Sequence, residues 1–337
     1  MDQKALRRFR IIGITTITAV YLLILIGAIV RSSGAGMGCP DWPTCFGQWI
    51  PPTQESQLPN NYHELYAKLG YANTDFNPIK TWTEYLNRLA GVTIGILMIL
   101  TTILAFPFLK SADKGVFYVS LTALLLVVFQ GWLGAVVVSS NLHPVMITAH
   151  MLLALTIVAL LIYAVARSQR NLFEKLNSHA LNRTVYMGLW MILGLTLIQI
   201  ILGAQVREAV DTIAKTHEYQ NRYLWREELP RVFYIHRAFA FILLTTNFWT
   251  IWQFLKTLPE NHLLFHLSIV LGILIVLAVG AGISLERLGI PPFIQPIHLL
   301  LANLIFGVQF FMLVTFRYCR VTNSGSDTTQ HGEISVH

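Results

Sequence analysis

Four residues, Asn87, His150, His236 and His298, each lie a few positions inside the start of a long apolar run. An ionisable side chain inside such a run is rare and is functional by default. A lone histidine there can also serve as an interhelical hydrogen-bonding residue. That reading weakens for His236 and His298 together, which fall at equivalent depths. At 1.5 Å rise per residue the four side chains share one level, about 5–10 Å below the outer surface. Haem iron accepts axial imidazoles, and the core between packed helices is the usual seat of such a cofactor. Zinc would need a third or fourth Cys, His or carboxylate ligand nearby, and none is evident at that depth around His236 and His298.

A porphyrin also brings two propionates. Arg207 and Arg237 lie near the outer mouth of the same region, and Arg31 and Arg88 occupy the corresponding places earlier in the chain. Guanidinium groups pair with carboxylates in fork geometry, although long basic side chains at helix ends also snorkel to head groups. Glu84, Asn87 and Arg88 are spaced i, i+3, i+4 and so share a helix face. Glu84 is either an acid available for chemistry or the ion-pair partner of Arg88. A site with two imidazoles is coordinatively full and suits electron transfer. A site with one imidazole, an amide and a carboxylate suits chemistry on a bound molecule. Cys39 and Cys45, six residues apart across Pro40 and Pro43, either form a disulfide on an oxidising outer side or remain two thiols. Cys319 falls on the inner side, where a thiol is expected.

These residues must be held by membrane helices. The chain is 54% hydrophobic and 12% charged, where soluble proteins carry about 25% charged residues. A helix needs roughly 20 apolar residues to cross the hydrocarbon. Eight stretches qualify: Ile11–Val30, Tyr85–Phe106, Val116–Val138, Val145–Ala166, Val185–Gln205, Val232–Phe254, Leu263–Ser284 and Phe293–Phe316. Backbone groups in lipid must bond internally, so these are helices. The first run is longer than a signal-peptide core and is flanked by Arg31, which predicts a retained span. Segments 1–10, 107–115, 167–184, 255–262 and 317–337 carry 13 Lys/Arg and 6 Asp/Glu. That bias puts both termini inside, and the +7 net charge is therefore a topology signal rather than a nucleic-acid one. Ten residues ahead of the first helix are too few for a mitochondrial transit peptide, which favours a bacterial inner membrane.

The chain also repeats itself. Gly27-Ala28-Ile29-Val30-Arg31 matches Gly203-Ala204-Gln205-Val206-Arg207, and Tyr85-Leu86-Asn87-Arg88 matches Tyr234-Ile235-His236-Arg237. Pro144 precedes His150, and Pro292 precedes His298, by six residues. The expected architecture is an all-α membrane protein of eight transmembrane helices, built as two parallel four-helix-bundle repeats. Residues 1–170 form the first half, 171–320 the second, and 321–337 a mobile polar tail with His331 and His337 of no consequence. Outer segments 31–84 and 206–231 are longer than plain connectors.

In combination the motifs resemble the haem A synthase family, membrane enzymes of cytochrome oxidase biogenesis. They run from Gly27–Arg31 through Gly38-Cys39-Pro40-Asp41-Trp42-Pro43, Glu84–Arg88, Gln130-Gly131-Trp132-Leu133-Gly134 and His150 to Gly203–Arg207, His236-Arg237 and His298. The resemblance implies oxidation of the C8 methyl of haem O, through an alcohol, to the formyl group of haem A. It implies a haem b cofactor on His236 and His298, a substrate site in the first half with His150, and a catalytic role for Glu84. It further implies a haem O-producing partner and an electron donor; a homo-oligomer is open. The family's Glu-x-x-His-Arg reads Glu84-Tyr85-Leu86-Asn87-Arg88 here, and Asn is a poor iron ligand. Either His150 alone holds the substrate iron, or His63 or His143 substitutes, or the site is inactive; the retained Glu84 and Arg88 favour the first. A b-type cytochrome without substrate chemistry and a repeat-built transporter are the alternatives. The transporter is disfavoured because the polar residues lie near the outer surface rather than the midplane.

Overall fold

The computed structural model describes residues 3–111, 113–176, 183–217 and 220–326, with side chains as far as residue 319. Residues 327–337, and with them His331 and His337, lie outside the described residues. Eight helices are long and apolar enough to cross a membrane: α1 Gln3–Ser32, α2 Pro78–Ala105, α3 Gly115–Ser139, α4 Pro144–Arg167, α5 Arg183–Thr216, α6 Arg231–Thr257, α7 Leu263–Arg287 and α8 Ile294–Ser326. No strand occurs among the described residues. The chain is an all-α multi-pass membrane protein, as its apolar blocks indicate.

The exposed face of the bundle is what lipid requires. Val276, Phe248, Phe241 and Val128 are among many large apolar side chains left open, which water would not tolerate but hydrocarbon does. Several buried hydroxyls bond within their own helices: Thr16 Oγ1 reaches the Ile12 carbonyl, Thr101 the Leu97 carbonyl and Ser268 the Leu264 carbonyl. The Thr16 and Thr101 hydroxyls lie 2.9 Å apart across α1 and α2; whichever donates across the pair shares its proton with, or gives up, the bond in its own helix, and the contact acts as interhelical glue.

Helices α1 to α4 contact one another in a ring that closes α4 on α1, and α5 to α8 form a second ring closing α8 on α5. Helix α8 joins the rings, packing on α1 and α4 as well as on α5 and α7. It is the most buried of the eight. One apolar core lies around Met98, Ala123, Val158 and Leu161; another lies around Leu189, Ile192, Phe254, Leu271 and Met312.

The helix boundaries differ from the expected spans on the outer side. Helix α2 begins at Pro78, seven residues before Tyr85, because Pro78 takes the first helical position and Asn77 Oδ1 caps the Lys80 N–H at 3.1 Å. Helix α5 continues past Gln205 to Thr216. Val210, Ile213 and Ala214 form an apolar stripe at helical spacing that packs on Trp225, Leu229 and Ile290. The two long connections on this side of the bundle are therefore residues 33–77 and 217–230. At its C-terminal end the eighth helix also passes its expected limit of Phe316 and runs on to Ser326.

The first connection is an ordered cap. Cys39 and Cys45 are bridged, with Cα atoms 4.8 Å apart. Phe46 sits in edge-on contact with Tyr62, Tyr66, Tyr71 and Phe76. Gly38 is obligatory here, since a Cβ would stand 2.4 Å from the Lys80 carbonyl oxygen. Cys319 is buried and not in a disulfide.

Candidate functional site

Each of the four candidate ligands faces a glycine on the helix before its own. A Cβ at Gly134 of α3 would stand 3.4 Å from His150 Cε1 on α4. One at Gly203 of α5 would stand 3.3 Å from His236 Cε1 on α6, and one at Gly282 of α7 would stand 3.3 Å from His298 Cε1 on α8. At the fourth place, a Cβ at Gly27 of α1 would stand 3.7 Å from Asn87 Oδ1 on α2. Three imidazoles and one carboxamide thus occupy one motif repeated around the molecule. A methyl group on the facing helix would already touch the ring, and a branched side chain would crowd it.

The backbone around these residues is also fixed from the facing helix. Gln130 Nε2 donates to the His150 carbonyl at 2.9 Å, and Gln199 Nε2 donates to the His236 carbonyl at 3.1 Å. Both glutamines lie four residues before the glycine that faces the ring. The pattern Gln-x-x-x-Gly at 130–134 and 199–203 was visible in the sequence, yet only its first copy entered the reading. Neither glutamine had been singled out as a positioning residue.

The rings keep coordinating capacity. His298 Nδ1 lies 3.0 Å from the Ala278 carbonyl, so that nitrogen carries the proton and Nε2 carries the lone pair. A ring nitrogen bonded to a backbone carbonyl in this way is how ligating histidines are oriented. His236 lies within electrostatic reach of His298. The Nδ1 atoms of His150 and His236 and the Oδ1 of Asn87 are buried without a hydrogen-bond partner. Unpartnered buried polar atoms cost free energy. No three His, Cys, Asp or Glu side chains converge on one point among the described residues. These features fit a porphyrin iron held by imidazoles from two helices. His63 is in the outer cap, its Nδ1 2.8 Å from the Tyr71 carbonyl, and His143 is exposed at the start of α4.

Glu84 and Arg88 form a buried clasp with the disulfide loop. Glu84 is only 3% exposed. Arg88 Nε and Nη2 donate to Glu84 Oε1 at 3.2 and 2.5 Å. Its remaining N–H groups go to the carbonyls of Asp41 (2.6 Å), Thr44 (2.9 Å) and Cys39 (3.0 Å). All five donors are in use. Glu84 Oε2 accepts the Cys39 N–H at 2.9 Å. The Asp41 carboxylate folds the loop by accepting from the Thr44 hydroxyl and from the N–H groups of Phe46 and Gly47. Tyr71 donates to the carbonyls of Met37 and Gly38. Burial, with the Glu84 charge nearby, pushes the Tyr71 hydroxyl above its usual range, so it stays a donor.

The other arginines are placed differently. Arg31 Nη2 lies 2.7 Å from Asp211 Oδ2, and Arg207 Nη1 lies 2.6 Å from Asp211 Oδ1. Arg237 pairs with Glu286 at 2.8 Å over the rings of Phe233 and Tyr234, and is half exposed. Asp211 and Glu286 were absent from the sequence reading. The Arg207–Asp211 spacing of i, i+4 hinted at a pair, but nothing in the sequence tied Arg31 to it.

Comparison with known proteins places the chain in a family. The sequence model of the cytochrome oxidase assembly protein family, COX15-CtaA, matches residues 10–310. The chain is similar to the Heme A synthase of Shewanella oneidensis, 31% identical over 191 residues, 56% of this chain and 53% of that one. It is similar to the Heme A synthase of Orientia tsutsugamushi strain Boryong, 28% identical over 232 residues, 61% of this chain and 64% of that one. It is also similar to the Heme A synthase of Bacillus pumilus, 23% identical over 288 residues, 81% of this chain and 84% of that one. Against the first of these relatives the match spans about half the relative's length. With the family model covering nearly the whole helical part of the chain, the protein belongs to the COX15-CtaA family of cytochrome oxidase assembly proteins.

Proposed function

We propose that this protein is a haem A synthase, an oxidoreductase that converts the C8 methyl of haem O to the formyl group of haem A through a hydroxymethyl stage. The observation that carries the reading is the repeated glycine-facing motif, with His236 and His298 in one ring of helices and His150 and Asn87 in the other. The two rings act as parallel repeats with different tasks. His236 and His298 would hold the iron of haem b, and Arg207 and Arg237, paired with Asp211 and Glu286, would stand on the side of its propionates. Haem b supplies electron transfer when bound.

The first ring takes haem O as substrate. His150 would be the strong iron ligand, with the Asn87 amide in the same ring of helices. Arg31 lies near the outer mouth for a substrate carboxylate. Arg88 serves the substrate indirectly, since its donors already hold Glu84 and three loop carbonyls. Glu84 is the acid of this site. Clamped by Arg88 and the Cys39 N–H, its carboxyl group is fixed in position, suited to act on positive charge that develops at a substrate carbon. The outer cap and its disulfide hold that acid away from bulk water.

The Lys/Arg bias of the inner segments orients the chain with both termini in the cytoplasm of a bacterium and both sites near the outer face of the inner membrane. A haem O-producing enzyme and an electron donor are the partners such chemistry needs. The test is extraction of bound pigments from the purified protein, followed by chromatography. Haem A and its alcohol precursor beside haem b are expected. Haem b alone would mean an electron-transfer cytochrome, and an absent Soret band would end the haem reading.

A further inference from the structure

Asp211 stands where an arginine from each repeat meets the other. Arg31 ends α1 and Arg207 holds the matching position on α5, 176 residues later. Arg31 places both Nε (2.9 Å) and Nη2 (2.7 Å) on Asp211 Oδ2. Arg207 places Nη1 on Oδ1 at 2.6 Å and donates from Nη2 to the Arg31 carbonyl at 3.2 Å. All three side chains are less than one-third exposed. The carboxylate is supplied by the part of α5 that runs beyond the expected span. Nothing in the repeat itself demands it, because the matching position after Arg31 is Ala35.

We propose that Asp211 is a positioning residue that couples the two haem sites, by holding the arginine of the substrate half and the arginine of the haem b half on one carboxylate. The trio carries one net positive charge shared between two guanidinium groups. A carboxylate arriving at Arg31 competes with Asp211 for that guanidinium. As Arg31 turns towards the newcomer, Asp211 is left to Arg207 alone. The charge facing the second site then becomes less positive. In a partly buried cluster, opposite charges within 3 Å are weakly screened, so the second site senses occupation of the first. The inference rests on the haem reading of both halves given above.

The experiment uses the full-length chain purified with haem b in place. Its midpoint potential is measured by optical redox titration with and without haem O. In the unmodified chain haem O is expected to shift the haem b potential. Asp211→Asn is expected to keep both haems but lose more than half of that shift, and Asp211→Glu to recover it. A shift of wild-type size in Asp211→Asn overturns the proposal, as does the absence of any shift in the unmodified chain with haem O bound. If Asp211→Asn does not accumulate in membranes, Arg31→Lys serves instead. It keeps the charge but lacks the fork that places two donors on Asp211, so the shift is again expected to fall, and its full retention overturns the link. The Soret band, read before any titration, separates this outcome from failure of the haem reading itself.

Discussion

Arg88 closes on Glu84 from one helical turn further along α2, Nη2 to Oε1 at 2.5 Å, and with its other donors gathers three carbonyls of the Cys39–Cys45 loop. Glu84 and the Cys39–Cys45 loop are therefore one structural unit. Breaking a buried pair from one side leaves an uncompensated charge and costs about 3–5 kcal/mol.

Arg88→Lys removes the fork while keeping the charge. An ammonium has three donors where five are in use. Haem A formation is expected to fall at least tenfold, with the haem b spectrum unchanged. Amide hydrogen exchange at residues 38–47 is expected to quicken. Unaltered exchange there would show that the clasp does not hold the loop.

Reduction of the disulfide probes the same unit from outside. Closing a loop of this size by a disulfide restricts the unfolded loop by roughly 2 kcal/mol, and Cys39 contributes both the N–H on Glu84 and a carbonyl on Arg88. A Cys39→Ser, Cys45→Ser double variant is expected to lose most haem A formation and to keep haem b. Pigment analysis of the variant membranes checks both. Loss of haem b with the bridge would mean the cap supports the whole bundle rather than the substrate half.

The glycines facing the ligands give a test that separates the two halves. A Cβ already stands 3.3–3.4 Å from the imidazole at Gly134, Gly203 and Gly282, so a branched side chain must displace the ring. Gly203→Val and Gly282→Val are expected to lower haem b per chain severalfold, measured as a pyridine haemochrome. Gly134→Val is expected to leave haem b intact and to weaken haem O binding. Loss of haem b in all three variants would show general misfolding and would remove the assignment of sites to halves.

Much of this architecture was legible in the sequence, because its cause is local. Twenty-residue apolar runs, lysines and arginines in short inner segments, and histidines six residues beyond a proline need no knowledge of tertiary contacts. The outer side was less legible. Extension of α5 to Thr216 depends on Trp225 and Ile290 covering the Val210–Ile213–Ala214 stripe, a contact between segments distant in sequence. The five-donor role of Arg88 depends on loop carbonyls, which no side-chain pattern announces. Asp211 was missed for the same reason. Its i, i+4 spacing from Arg207 was readable, but its bond to Arg31 crosses between the two rings of helices.

The amide at position 87 sets the last expectation. Gly27 leaves 3.7 Å between a Cβ and Asn87 Oδ1, against 3.3–3.4 Å at the three imidazole positions. The α1–α2 contact therefore has room of the kind that holds a histidine elsewhere. A histidine there would offer the substrate iron a second imidazole nitrogen besides that of His150. Asn87→His is accordingly expected to move bound haem O from a high-spin to a low-spin optical spectrum while still yielding haem A, because Glu84 and Arg88 are untouched. The unmodified chain is expected to convert haem O with the high-spin spectrum of an iron held by His150 alone. If it binds haem O and makes no product, while Asn87→His does, then the amide has disabled the site rather than opened it. The acid clasp would then be the remnant of a lost activity.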